Sequence, residues 1–176
     1  MKRPGGGDPF NDLVDAEREG LFRYLYWLLH DREDALDALQ DVLLRAYRGW
    51  DSLRDPTRAR NWIYTIAANV ARRSRQKRRR LPMPLGRLGT EDDLRGEVLA
   101  SSEGTPAAEL EARDAKRRLS EAIASLDEEL REPLLLFVVA GLKYREIAEA
   151  LGIPIGTVTS RIHAAREKLA SILRAR

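Results

Sequence analysis

Cysteine is absent from this chain, and its only two histidines, His30 and His163, stand far apart in the sequence. Disulfides and thiolate metal sites are therefore excluded, and two isolated imidazoles do not build a metal centre, so no cofactor is expected. Membrane-spanning apolar runs are missing too. The stretch Leu134 to Ala140 is far too short to cross a bilayer, and Lys2 and Arg3 lead into glycine-rich sequence without the apolar core of a signal peptide. A cytoplasmic protein with no membrane insertion is the expectation. Strand-like runs are few among the 176 residues, of which 43% are hydrophobic, 34% charged and 6% aromatic, so the predicted class is all-α.

Acidic residues are missing from one long stretch. Between Pro56 and Arg80 there are none, while Arg58, Arg60, Arg72, Arg73, Arg75, Lys77, Arg78, Arg79 and Arg80 are basic, although the whole chain carries a net charge of only +3. Leu81 to Glu111 reverses the sign and is dense in proline and glycine, which predicts an acidic linker. The resulting division is a disordered tail over 1–9, a helical domain over 10–80, a flexible linker over 81–111 and a second helical domain over 112–176.

What the chain does contain is most informative at its end. Tyr144 to Leu169, YREIAEALGIPIGTVTSRIHAAREKL, places Ile147 and Leu151 on one helix face and Val158, Ile162 and Leu169 on another, with Ile153 at the corner. Gly152 suits the left-handed end of the first helix, and Pro154 stands where the second can begin. The pattern predicts a helix-turn-helix. Its second helix offers Thr157, Thr159, Ser160, Arg161, His163 and Arg166 to phosphates and base edges. An ordinary helical hairpin with a solvated polar face would share the apolar spacing.

Three helices are predicted in the first domain. Leu13 to Leu29 is apolar on most sides, which implies deep burial or cover from a partner. Asp31 suits the N-cap of the next helix, whose Leu36, Leu39, Leu43, Ala46, Tyr47 and Trp50 form the expected buried stripe. Asp34, Asp37, Gln40, Asp41 and Arg48 lie around the other side with Leu44 among them, either as solvated surface or as a protein-docking face. The third helix, from about Asn61 to Arg79, is expected to bury Trp62, Ile63, Ile66 and Val70 and to turn Tyr64, Ala68, Arg72 and Arg75 outward. Basic side chains beside an exposed aromatic suit single-stranded nucleic acid.

Taken together, DREDALDALQDVLLRAYRGW, NWIYTIAANVARR and the terminal helix pair resemble, in that order, the polymerase-binding helix, the promoter-opening helix and the upstream-element reader of small two-domain bacterial sigma factors of the extracytoplasmic-function group. The resemblance implies that Asp37, Gln40, Asp41 and Leu44, with Arg48 beside them, dock on the clamp helices of the largest subunit of core RNA polymerase. It implies that the Arg54 to Asn61 loop, with Arg58, Arg60 and Asn61, and the following helix capture an unpaired base of the minus-ten element. The second helix of the terminal pair would enter the major groove of promoter DNA at the minus-thirty-five element. Such factors are commonly silenced by an anti-sigma factor, which is the further partner expected here. Thr159, Ala164 and Ala68 depart from the basic residues frequent at those positions.

Energetics favour action with a partner. Opening a bubble of about ten steps at about 1.4 kcal/mol each requires roughly 14 kcal/mol. Stacking one or two bases returns only about 1–3 kcal/mol apiece. Two rivals remain at this level. A dimeric helix-turn-helix regulator accounts for the terminal pair alone. A nuclease using Asp34, Asp37 and Asp41 as a metal site lacks a histidine, a phosphate loop or a second carboxylate cluster, so the chain is expected not to be an enzyme.

Overall fold

The computed structural model describes residues 8–80 and 106–175, and among them the only regular elements are helices. Most of the expected tail and linker, 1–7 and 81–105, lies outside the described residues. Of the rest, Asp8 is the N-cap of α1, which runs Pro9–Leu29, and residues 106–111 open α4, which runs Pro106–Ala124. Between them come α2, Arg32–Gly49, two short 3₁₀ turns, Trp50–Ser52 and Pro56–Arg58, and α3, Ala59–Arg80. After α4 follow α5, Glu128–Val138, α6, Tyr144–Leu151, and α7, Ile155–Arg174.

Local chemistry sets the helix ends. Asp8 caps α1 by accepting from the Phe10 N–H at 3.2 Å, with Pro9 in the first turn, and the helix stops at His30, whose φ of 53° is left-handed. Asp31 then caps α2, accepting from the Asp34 N–H at 2.9 Å, as its position predicted. Pro133 lies inside α5, in its second turn and buried, where it removes the amide that would otherwise bond to the Glu129 carbonyl.

Helices α1, α2 and α3 pack on one another, and α7 packs on α4, α5 and α6. The two groups then meet: α3 lies along α6, and α1 against α5, so a single apolar cluster runs through both. This explains the apolar excess on α1. Leu21, Phe22 and all of Tyr24 to Leu29 are buried because neighbours from both halves cover them.

The stripe on α2 is rotated from the expected one. Ala35, Ala38, Leu39, Val42 and Ala46 face inward, whereas Leu36 is 39% and Tyr47 67% exposed. The seam against the bulky α1 selects small side chains, so alanine fills it where hydrophobicity alone pointed to leucine and tyrosine. Helix α3 also departs from expectation. Tyr64 and Ala68, predicted to face outward, have no exposure, because helices pack on both sides of α3.

Candidate nucleic-acid interface

The outer face of α2 carries the polar residues expected there, with Leu36 and Tyr47 added to it. Asp37, Gln40, Leu44 and Arg48 are exposed one turn apart, and Asp41 is half-buried, accepting from Arg45 Nε at 2.7 Å. Leu44, 47% exposed, together with Leu36 and Tyr47 makes this an apolar patch ringed by charge. Such a patch suits a protein better than a nucleic acid.

The basic face of the loop and α3 is arranged differently. Asp55 accepts from the Thr57 N–H at 2.9 Å and the Thr57 hydroxyl at 2.6 Å, which lowers its pKa and fixes the entry to α3. Arg58 pairs with Glu149 of α6, and Asn61 Nδ2 donates to the same carboxylate at 3.2 Å. Arg60 bonds Glu17 at 2.8 Å, and its guanidinium lies 3.7 Å from where a Cβ on Gly141 would stand. Tyr64 packs edge-to-face on Tyr24 at 6.0 Å, and burial raises its phenol pKa. Gly20 allows this packing, since a Cβ there would come within 2.5 Å of the Tyr64 hydroxyl. Tyr64 is therefore a core residue in this arrangement, with no face free to stack on a base.

Arg72 and Arg75 line a cavity of about 280 Å³ with Gln76, Glu128, Glu132 and, from α7, Arg161. Arg75 Nε lies 3.1 Å from Glu128 and its Nη2 donates to Glu132 at 3.4 Å. Glu132 also accepts from the buried Tyr24 hydroxyl at 3.5 Å. Burial raises the Glu132 pKa, and the guanidinium groups of Arg75 and Arg72 oppose that rise. Nearby, Arg131 contacts His30 and donates to the carbonyls of Ala124 and Leu126 at 2.7 and 2.6 Å. Burial, aided by Arg131, lowers the His30 pKa to about 4.

The terminal helices take the predicted corner. Gly152 is left-handed, with φ 66°, its N–H donates to the Ala148 carbonyl, and the Ile153 N–H reaches the same oxygen at 3.1 Å. The Lys143 N–H donates to Glu146 at 2.7 Å, closing the first turn of α6. On α7, Thr159, Ser160, His163 and Arg166 are exposed while Thr157 and Arg161 are half-buried. Arg161 bonds Glu129 at 2.7 Å, and Arg166 lies 5.0 Å over the Phe137 ring. The open part of this face is therefore the strip through Ser160 and His163.

The structure thus brings Arg58, Arg60, Asn61, Arg72, Arg75 and Arg161 around one seam, and leaves the α2 face and the outer strip of α7 apart from it. Sequence reasoning missed the acids of that seam, Glu128, Glu132 and Glu149. Glu132, set in the apolar run REPLLLF, carried the one signal available: an acid among apolar neighbours has a buried partner.

Comparisons with known proteins agree with this two-part build. Residues 13–81 match the Sigma-70 region 2 family and residues 116–169 match Sigma-70, region 4. The ECF RNA polymerase sigma factor SigW of Bacillus subtilis is 29% identical over 173 residues, 98% of this chain and 92% of the relative. The RNA polymerase sigma-H factor of Pseudomonas aeruginosa is 31% identical over 162 residues, 91% of this chain and 83% of the relative. Among solved structures, the sigma factor RpoE in complex with the anti-sigma factor NepR from Bartonella quintana shares the fold with a TM-score of 0.69 and 23% identity, covering 94% of this chain and 96% of that one. Both halves find counterparts, whereas a helix-turn-helix regulator would account for the second alone.

Proposed function

The chain belongs to the extracytoplasmic-function group of RNA polymerase sigma factors, transcription initiation factors that join core polymerase and direct it to promoters, and on that premise we propose which surfaces do each task. The outer face of α2, through Asp37, Gln40, Asp41, Leu44 and Arg48, docks on the clamp helices of the largest polymerase subunit. The loop and α3, through Arg58, Arg60, Asn61, Arg72 and Arg75, receive the opened minus-ten strand. Residues 10–80 thereby act as region 2 and 112–176 as region 4, and the 81–111 linker expected between them is shortened at its far end by α4, which begins at Pro106. The strip of α7 around Thr159, Ser160, His163 and Arg166, flanked by Thr157 and Arg161, reads the minus-thirty-five element. Tyr64 contributes by holding α3 against α1.

The observation that carries the polymerase assignment is the exposure of Leu44 and Tyr47 on the same helix as Asp37 and Gln40, an apolar surface that the described residues leave open. The chain needs no catalytic group of its own, since polymerase supplies the chemistry. No helix among the described residues is long and apolar enough to cross a membrane. The likeness in fold to a sigma factor solved with an anti-sigma factor supports a regulatory partner of that kind, released in response to a signal.

Run-off transcription tests the assignment, using purified core polymerase with and without this protein on a pool of genomic promoter fragments from its own source. New start sites that depend on the protein are expected. A protein that never associates with core polymerase would overturn the reading.

A further inference from the structure

Two hydroxyls on the open strip of α7 are already committed to their own helix. The Thr159 hydroxyl donates to the Ile155 carbonyl at 3.0 Å, and the Ser160 hydroxyl to the Thr157 carbonyl at 3.1 Å. A hydroxyl carries one hydrogen, so neither side chain has a proton left for a base edge. What the leading end of the strip offers instead is apolar. Ile155, the first residue of α7, is 51% exposed, whereas Ile153, two residues earlier, packs against the core. Thr159 stands four residues after Ile155 and is exposed as well, so the two share one helix face, with His163 next in the same row. Beside them, Gly156 has nothing within 4 Å of where a Cβ would stand, and its backbone is not left-handed. Folding therefore gives no reason for a glycine there, whereas close approach of a second molecule does.

We propose that Ile155 and the methyl group of Thr159 are specificity determinants for thymine: together they form an apolar pair that meets the C5-methyl groups of one or two thymines in the minus-thirty-five element. The proposal rests on the assignment of α7 as the reader of that element. In the major groove thymine is the one base that presents a methyl group, so an apolar side chain there tells T·A from A·T and from both G·C orientations without a hydrogen bond. The first turns of a recognition helix are the part that meets base edges. Ile155 adds little to the core, yet covering it with a thymine methyl takes apolar surface of both partners out of water. Hydrogen-bonded readout is left to His163 and Arg166, farther along the helix.

The test uses holoenzyme assembled from the full chain and core polymerase, with a promoter duplex defined by the run-off starts. Each thymine of the minus-thirty-five element is replaced in turn by deoxyuridine, which lacks only the methyl group. At one or two positions this should weaken binding about fourfold, the scale of one buried methyl group. Ile155→Ala should weaken binding to the unaltered duplex by a similar factor and abolish the effect of deoxyuridine at a sensitive position. Thr159→Ser, which keeps the hydroxyl and loses the methyl, should do the same, while Thr159→Val, which keeps a methyl and loses the hydroxyl, should bind as the unmodified chain does.

Indifference to deoxyuridine at every position, with binding still lost when the base pairs themselves are exchanged, would overturn the methyl contact and leave the α7 assignment standing. An element with no A·T pair would do likewise. So would an Ile155→Ala chain as sensitive to deoxyuridine as the unmodified one, or a Thr159→Val chain that bound weakly while Thr159→Ser bound normally, since the hydroxyl would then be the reader. Indifference of the holoenzyme to exchange of the base pairs would remove the α7 assignment and the proposal together.

Discussion

Helices α2 and α3 belong to the same small domain, yet their functional faces are treated in opposite ways. The α2 face leaves Leu44 and Tyr47 largely exposed among the described residues, although Tyr47 meets Phe10 edge-on, while the α3 face is met by glutamates from the far half of the chain. An apolar docking face tolerates exposure because its few large side chains are ringed by charge. A basic face attracts any carboxylate in reach, and the chain carries its own. Readiness for a partner is therefore a property of the whole molecule rather than of each helix.

The contrast breaks most visibly at Tyr64. If it belongs to the core of α3, Tyr64→Ala should cost about 3–5 kcal/mol of stability, read as a lower denaturant midpoint. A variant that kept full stability and lost only DNA binding would restore the exposed, stacking role. Next in size is the α2 face. Asp41→Arg with Leu44→Ala should weaken core polymerase binding by about 2 kcal/mol or more, the scale of an interface hot spot, and leave duplex binding by α7 unchanged. Loss of both activities together would dissolve the distinction between the two faces.

Arg161 sits between the two cases, on α7 but turned to the seam. Its replacement by alanine should weaken minus-thirty-five binding by about 1–3 kcal/mol if it leaves Glu129 for a base edge, and leave polymerase binding intact, as an electrophoretic mobility assay and a pull-down would show. No change in duplex binding would confine recognition to the outer strip of Ser160 and His163.

The last test is the pH dependence of stability at the α1–α5 contact. The unfolded His30 imidazole takes its proton near 6.5, while the folded one resists until about 4 because burial and Arg131 disfavour a second cation. The unfolded chain therefore binds more protons in that window, so stability falls as pH drops from about 6.5 towards 4. His30→Asn, which tolerates the left-handed backbone, should flatten this part of the profile in thermal melts. An unchanged slope would show that His30 does not hold the seam.

Capping and the main helical periodicities were legible in part. The Asp31 cap, the Gly152 corner, the α7 core of Val158 and Ile162, and the exposed row of Asp37, Gln40, Leu44 and Arg48 all follow from local spacing. Tyr64, Leu36 and Tyr47 did not, because an apolar or aromatic residue near a stripe boundary can fall on either side. Which side it takes depends on the size of the neighbour across the seam. Asn61, expected at the DNA-facing loop, has its side chain buried against Glu149, a contact that local spacing does not reveal.

The sequence by itself determined the helical class, the two-domain order, the polarity of each functional helix and the family, since these depend on residue type and on spacing within a single helix. Tertiary structure alone decided which helix faces meet. The buried position of Tyr64, the Arg75 contacts with Glu128 and Glu132, and the cover over Arg58 and Asn61 all join residues far apart in the chain. Such pairings arise from the packing of α1 on α5 and α3 on α6, and no local pattern encodes them, because side-chain volume and charge are matched there only after the chain has folded.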